Sequence, residues 1–166
     1  MISDRSKKIF LAICIIIPFF LYCFYYYSIM IKNAPYRWSD FDSIVLKYGY
    51  GGELVNEFDS STGVFTYLNQ RDSLVHDTLR MRDDDLLYLH RKAAELGFWN
   101  LSEDMTGTGF EAREPEVARF VLQFNYKEKS KTVTYDADFD GNPKMKDAAR
   151  SVIDEVRRVL SDVSGR

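Results

Sequence analysis

Residues 119–135 read RFVLQFNYKEKSKTVTY, and this stretch decides the fold class. Phe120, Leu122, Phe124 and Tyr126 alternate with Arg119, Val121, Gln123 and Asn125, the two-residue period of a strand with one buried face. Lys127 to Ser130 form a polar turn, and Lys131 to Tyr135 return with the same alternation. The stretch therefore predicts an antiparallel hairpin. Just beyond it, Asn142 supplies a helix cap and Pro143 a first helical position. Ala149, Val152, Ile153, Val156 and Leu160 then recur as one buried helical stripe.

Upstream, Leu86, Leu89, Ala93 and Leu96 predict an amphipathic helix, with Asp83 to Asp85 at its positive end and Gly97 as its stop. Ahead of that helix lie four strand patterns. Ile44 to Tyr48 and Val64 to Leu68 alternate, and glycines and polar turn residues set off Glu53 to Phe58 between them. Leu74 to Arg82 supplies the fourth, with Val75, Leu79 and Met81 on one face. Four strands, a helix, a hairpin and a helix describe an α+β domain. The expected architecture is an antiparallel sheet of about five to six strands with two helices packed on one face.

The chain has 166 residues, too few for two large domains. With 46% hydrophobic and 15% aromatic residues it is not a disordered polar tail. Its 22 basic and 25 acidic residues give a net charge of −3, which removes the electrostatic footprint of a nucleic-acid binder. Ile9 to Ile31 carry no charge at all, a run long enough as a helix to cross a hydrocarbon core of roughly 30 Å. Pro18 is compatible with a membrane helix, and Tyr22, Phe24, Tyr25, Tyr26 and Tyr27 read as an interfacial aromatic belt.

Arg5, Lys7 and Lys8 also suit the charged start of a signal peptide, but the apolar run exceeds the usual length of about 7 to 15 residues and no small-x-small cleavage site follows. Neither Leu11-Ala12-Ile13 before Cys14 nor Phe20-Leu21-Tyr22 before Cys23 ends in the small residue of a lipoprotein site. The expectation is an uncleaved single-pass anchor preceding the sheet domain. Residues 1–8 form a cytoplasmic tail, 9–31 the transmembrane helix, 32–40 a linker and 41–166 the domain. The basic residues before the span set against Lys32 and Arg37 after it place that domain outside the cytoplasm, at an inner or plasma membrane. Both cysteines fall in the anchor, so they do not report on the domain's redox compartment.

The strand Ile44 to Tyr48, the glycine-rich turn after it, the helix ending Leu96-Gly97-Phe98-Trp99-Asn100-Leu101 and the closing hairpin and helix give the chain a family likeness. From about residue 41 to 162 it resembles a family of bacterial extracytoplasmic domains of unknown function, carried behind a lipoprotein signal or membrane anchor. The resemblance implies location and fold; that family has no assigned activity.

One spacing carries possible chemistry. Asp136-Ala137-Asp138-Phe139-Asp140-Gly141 matches the opening of a D-x-D-x-D-G calcium loop, in which alternating carboxylates converge and glycine permits the sharp turn. In that register Asn142 stands seventh and Asp147 twelfth, although the twelfth residue is normally glutamate. The competing reading is a solvated strand-to-helix turn capped by Asp140 or Asn142. His76 and His90 lack zinc-site spacing, and Gly49 to Gly52 lack the lysine of a phosphate loop. Met105 to Glu111 reads as a mobile connector or a partner-binding loop, and Phe98, Trp99 and Tyr88 as an aromatic contact that seals the core. The expected function is protein or ligand binding, or scaffolding, without catalysis, on an unknown protein partner. The alternatives are an inhibitor or immunity-type protein, for which an acidic surface suits a basic target, and a hydrolase.

Overall fold

The computed structural model describes residues 4–33, 36–50, 53–107 and 117–166. Two compact units result, Met1–Pro35 and Tyr36–Arg166. In the first, helix α1 (Asp4–Asn33) contains Arg5–Ser28, a stretch of mean hydropathy 2.4 with none of its apolar window buried. It is long and apolar enough to cross a membrane. Tyr22 and Tyr26 stack one turn apart at 6.5 Å, and the Ser28 hydroxyl donates to the Tyr25 carbonyl at 2.7 Å. That bond keeps a polar hydrogen satisfied without water.

The second unit follows the order β1 (Phe41–Tyr50), β2 (Glu53–Asp59), β3 (Val64–Leu68), β4 (Leu74–Thr78), α2 (Asp83–Glu95), β5 (Asp104–Met105), β6 (Ala118–Tyr126), β7 (Ser130–Asp136) and α3 (Pro143–Ser164). The strands form one sheet in the order β4-β3-β2-β1-β6-β7-β5. The α+β class agrees with the sequence reading, and the details differ. Among the described residues the sheet has seven strands rather than five or six, and it is mixed because β5 runs parallel to β7. β5 has two residues, too short to display a period. The fourth strand stops at Thr78: the Leu79 amide makes one last bond, to the Gly63 carbonyl opposite it at 2.7 Å, while the Gly63 amide donates back to the Asp59 carbonyl of the turn at 2.8 Å. The chain then enters α2, where the Arg82 amide donates to the Asp85 carboxylate at 3.1 Å. Gly63 has φ +71, and a Cβ there would meet the Leu79 carbonyl at 3.2 Å, so the turn between β2 and β3 favours glycine.

The centre of the sheet is set by β1 against β6. Leu46 faces Leu122 across this pair, Phe58 faces Leu46 from β2, and Val133 faces Leu122 from β7. None of these four side chains is more than 1% exposed. They form one row beneath the helices, whose stripes of Leu89 and Ala93 in α2 and Val152, Ile153, Val156 and Leu160 in α3 join the same core. The opposite face of the sheet is polar. Lys47 pairs there with Glu57 at 2.8 Å, an exposed cross-strand pair that adds little stability.

Residues 36–40, read from sequence as the end of a linker, pack into this unit. Tyr36 is buried, stacks on Trp99 at 4.8 Å and meets Tyr126 edge-on at 5.3 Å. These rings, with Trp38 and Phe41, surround His90 on α2. His90 Nε2 lies 3.3 Å from the Tyr36 carbonyl, and because a carbonyl only accepts, that nitrogen carries the proton. Burial lowers the His90 pKa, more than the hydrogen bond to Tyr36 raises it.

The folded domain thus resists protonation at His90 more than the unfolded chain does. Stability is full above the ordinary histidine pKa of about 6.5 and is lost as pH falls below it toward the lowered folded value. Urea unfolding between about pH 7 and 5 should show this loss, and His90→Gln should flatten it. Equal slopes in the two proteins would remove His90 as the cause.

Candidate functional site

The residues of the acidic turn are engaged in different ways. Asp136 ends β7 directly opposite Arg119 of β6 and is fully buried. Arg119 Nε donates to its Oδ1 at 2.7 Å and Nη2 to its Oδ2 at 2.9 Å, a two-pronged pair, and the Gly107 amide donates to Oδ2 at 3.2 Å. The Asp138 carboxylate lies beside Gly107, where an added Cβ would come within 2.5 Å of it. Asp140, Asn142 and Asp147 are exposed, and Asn142 caps α3 by accepting from the Lys144 amide at 3.0 Å. Among the described residues no group of three His, Cys, Asp or Glu side chains is placed to hold a metal.

The remaining sequence candidates divide. Phe98 and Trp99 pack on Phe124 at 5.1 and 5.2 Å, inside the core. Tyr88 stands apart from them, donating to Glu155 at 3.1 Å and accepting from Arg158 at 3.0 Å. Met105 is fully buried in β5, Thr106 donates to Asp104 at 2.6 Å, and residues 108–111 of that loop lie outside the described residues. His76 Nδ1 meets the Thr66 hydroxyl at 2.9 Å on the polar face of the sheet.

A concave feature of the domain lies elsewhere, between α3 and the end of the sheet. The register that aligns Leu46 with Leu122 also aligns Tyr48, Phe120 and Tyr135 across β1, β6 and β7. Their rings stack at 6.0 and 6.4 Å as a continuous floor. Above the floor stands Arg157, one position beyond Val156 in the buried stripe of α3 and so at the stripe's edge. Its guanidinium carbon is 5.7 Å from the centre of Tyr48 and 5.9 Å from that of Phe120, within cation–π range.

Arg157 divides two openings. One, of about 630 Å³, is lined by Tyr48, Phe65, Leu160, Ser161 and Ser164; the other, of about 300 Å³, by Phe120, Tyr135, Lys146, Arg150 and Ile153. Asp154 and Arg157 border both. Burial raises the Tyr48 pKa, partly offset by Arg157, so its hydroxyl is protonated at neutral pH.

The other cations here are committed. Arg158 pairs with Glu155 at 2.7 Å and Asp162 at 3.3 Å, Arg150 lies 3.7 Å from Asp154, and Lys146 donates to the Phe139 carbonyl at 2.7 Å. Among the described residues Arg157 has ring faces for neighbours and neither a hydrogen bond nor an ion pair. Neither histidine lines the openings, so the serine hydroxyls there have no imidazole beside them. The arrangement can hold an anion against an aromatic surface.

Reading the sequence missed this site. Its signals were an arginine bordering an apolar helical stripe and aromatics at strand positions 48, 120 and 135, both of which look like ordinary core pattern until the register is known. No family model matches the chain, and no curated protein is matched by it. The site is therefore read from its geometry.

The buried Arg119–Asp136 pair offers a direct test of its structural weight. Arg119→Met strands a carboxylate in the interior, which should cost about 3–5 kcal/mol of unfolding free energy in urea titration. A loss below about 1 kcal/mol would show that the carboxylate does not depend on Arg119.

Proposed function

We propose that this protein is a single-pass membrane-tethered domain that binds a protein or ligand partner outside the cytoplasm and catalyses nothing itself. The observation that carries the tether is Arg5–Ser28, an apolar helix of mean hydropathy 2.4 with none of its window buried. Arg5, Lys7 and Lys8 ahead of the span favour an N-in orientation under the positive-inside rule. The binding half rests on the Arg157 cleft, which offers an aromatic surface and a guanidinium with no ion pair among the described residues.

Alkaline carbonate washing of membranes from cells making the full-length chain should leave it in the pellet, and protease added to the outer side should digest residues beyond the span. Release by carbonate, or a mature amino terminus beyond residue 31, would overturn the tether. Crosslinked capture of the full-length protein from its own membranes should retain a stoichiometric partner through a salt wash. Nothing above background would overturn protein binding.

We propose a structural role for the acidic turn: Asp136 holds Arg119, and Asn142 starts α3. Melting curves at about 5 mM calcium, above the roughly 0.1–1 mM affinities of extracellular calcium modules, should then superimpose on those in chelator. A higher midpoint with calcium would overturn this role and favour the calcium loop of Asp136, Asp138, Asp140, Asn142 and Asp147.

A further inference from the structure

We infer that the larger opening beside Arg157 is a binding site for a small monocarboxylate carrying a flat apolar group. This names the ligand class for the cleft in the preceding section and rests on that reading of the domain as a binding module.

Three features select the ligand. The first is the state of Arg157. A guanidinium has five N–H donors in a planar fork that matches a carboxylate, and ring faces leave those donors unused. Arg157 lies over Tyr48 and Phe120 and makes no ion pair among the described residues. It is oriented and still available.

The second is the pairing of the neighbouring charges. Arg158 lies between Glu155 and Asp162, and Arg150 lies beside Asp154, which leaves Arg157 as the guanidinium of this group with no carboxylate within 4 Å among the described residues. A single carboxylate can pair with it without displacing an existing partner. A di- or triphosphate would bring further charge against Asp154 and Asp162, and like charges in so small a space repel.

The third is the lining. Phe65, Tyr48 and Leu160 provide apolar surface, and Ser161 and Ser164, three residues apart on α3, provide hydroxyls on one side. A volume of about 630 Å³ falls within the range of roughly 300–1,000 Å³ typical of small-molecule sites. Aromatic floor, a few polar groups and one charged anchor describe a site for a molecule with one flat apolar part and one anionic end.

The test uses the full-length chain in phosphatidylcholine nanodiscs, with empty nanodiscs as reference and fluorine NMR line broadening as the readout. The probes are 4-fluorophenylacetate, its neutral amide, and N-acetyl-4-fluorophenylalanine, which stands in for the carboxylate end of a peptide. The acid should bind about tenfold more tightly than the amide, and Arg157→Gln should abolish that preference, as expected for loss of a charge-assisted pair. Tyr48→Leu should weaken acid and amide alike, because it removes floor and not charge. Urea midpoints near that of the parent protein would show that each variant is folded.

Equal binding of acid and amide, or a preference that survives Arg157→Gln, would overturn the assignment. So would the absence of binding by all three probes. Tighter binding of the acetylated amino acid than of the free acid would support the site and identify a peptide end as the source of the carboxylate. A stoichiometric protein partner found by capture, with no probe bound, would sink the cleft assignment and leave the tethered binding domain standing.

Discussion

The pairing of β1 with β6 is the constraint on which the rest of the domain depends. Leu46 opposite Leu122 places Phe58, Leu46, Leu122 and Val133 in one buried row, and the alternation along each strand then dictates every other position. A slip of one residue would exchange the faces, bringing Lys47 and Gln123 under the helices and expelling the aromatics. The cost would be several large side chains exposed at once, at about 1.5–3 kcal/mol each. The same register sets Arg119 against Asp136 on the polar face and Tyr48 against Phe120 on the buried one. The structural ion pair and the binding floor are thus two consequences of one alignment.

The domain also buries polar groups, on both sides of the sheet, that need partners. Lys131 lies on the buried face in line with Phe124, and its ammonium reaches the Leu101 carbonyl at 2.6 Å. His90 spends its proton on Tyr36, and Asp136 is gripped by Arg119 and the Gly107 amide. Each partner sits on a segment that would otherwise be loop: Tyr36 before β1, Leu101 after α2, Gly107 after β5. Buried polar groups are costly unless bonded, so these bonds specify where the irregular segments dock while the apolar contacts hold them. Short strands β4 and β5 at the two edges limit the open backbone that another chain could pair with.

What was legible in the sequence was what is local. The hairpin from Phe120 to Tyr135, the Asn142 cap and the stripe of α3 all follow from neighbours within a few residues, and so did the apolar span. The order of strands was not legible, because β1 and β6 meet across a separation of 82 residues between Ser43 and Asn125. The overlong reading of the fourth strand had a local origin: the alternation runs on to Met81, past the last bond to the sheet, from the Leu79 amide to the Gly63 carbonyl. The D-x-D-x-D-G spacing is a local pattern too, and the carboxylate that opens it is engaged by Arg119, a residue 17 positions back. Tyr36 looked like spacer because its apolar partners, Trp99 and Tyr126, lie far along the chain.

Arg157 and Arg158 show how two identical neighbours acquire different roles from one turn of helix. Arg158 points to the side of α3 where Glu155 and Asp162 stand three and four residues away, and it is consumed by them. Arg157 points about a quarter-turn around the axis toward the sheet, where the helix offers it no carboxylate within 4 Å and the strands offer aromatic faces. A salt bridge would hold the guanidinium by using its donors. A ring holds it through the charge alone and leaves the donors free, which lowers the ordering cost of recognising an anion. The aromatic floor therefore does for Arg157 what an ion pair could not: it keeps a cation in place at the mouth of a cleft without neutralising it.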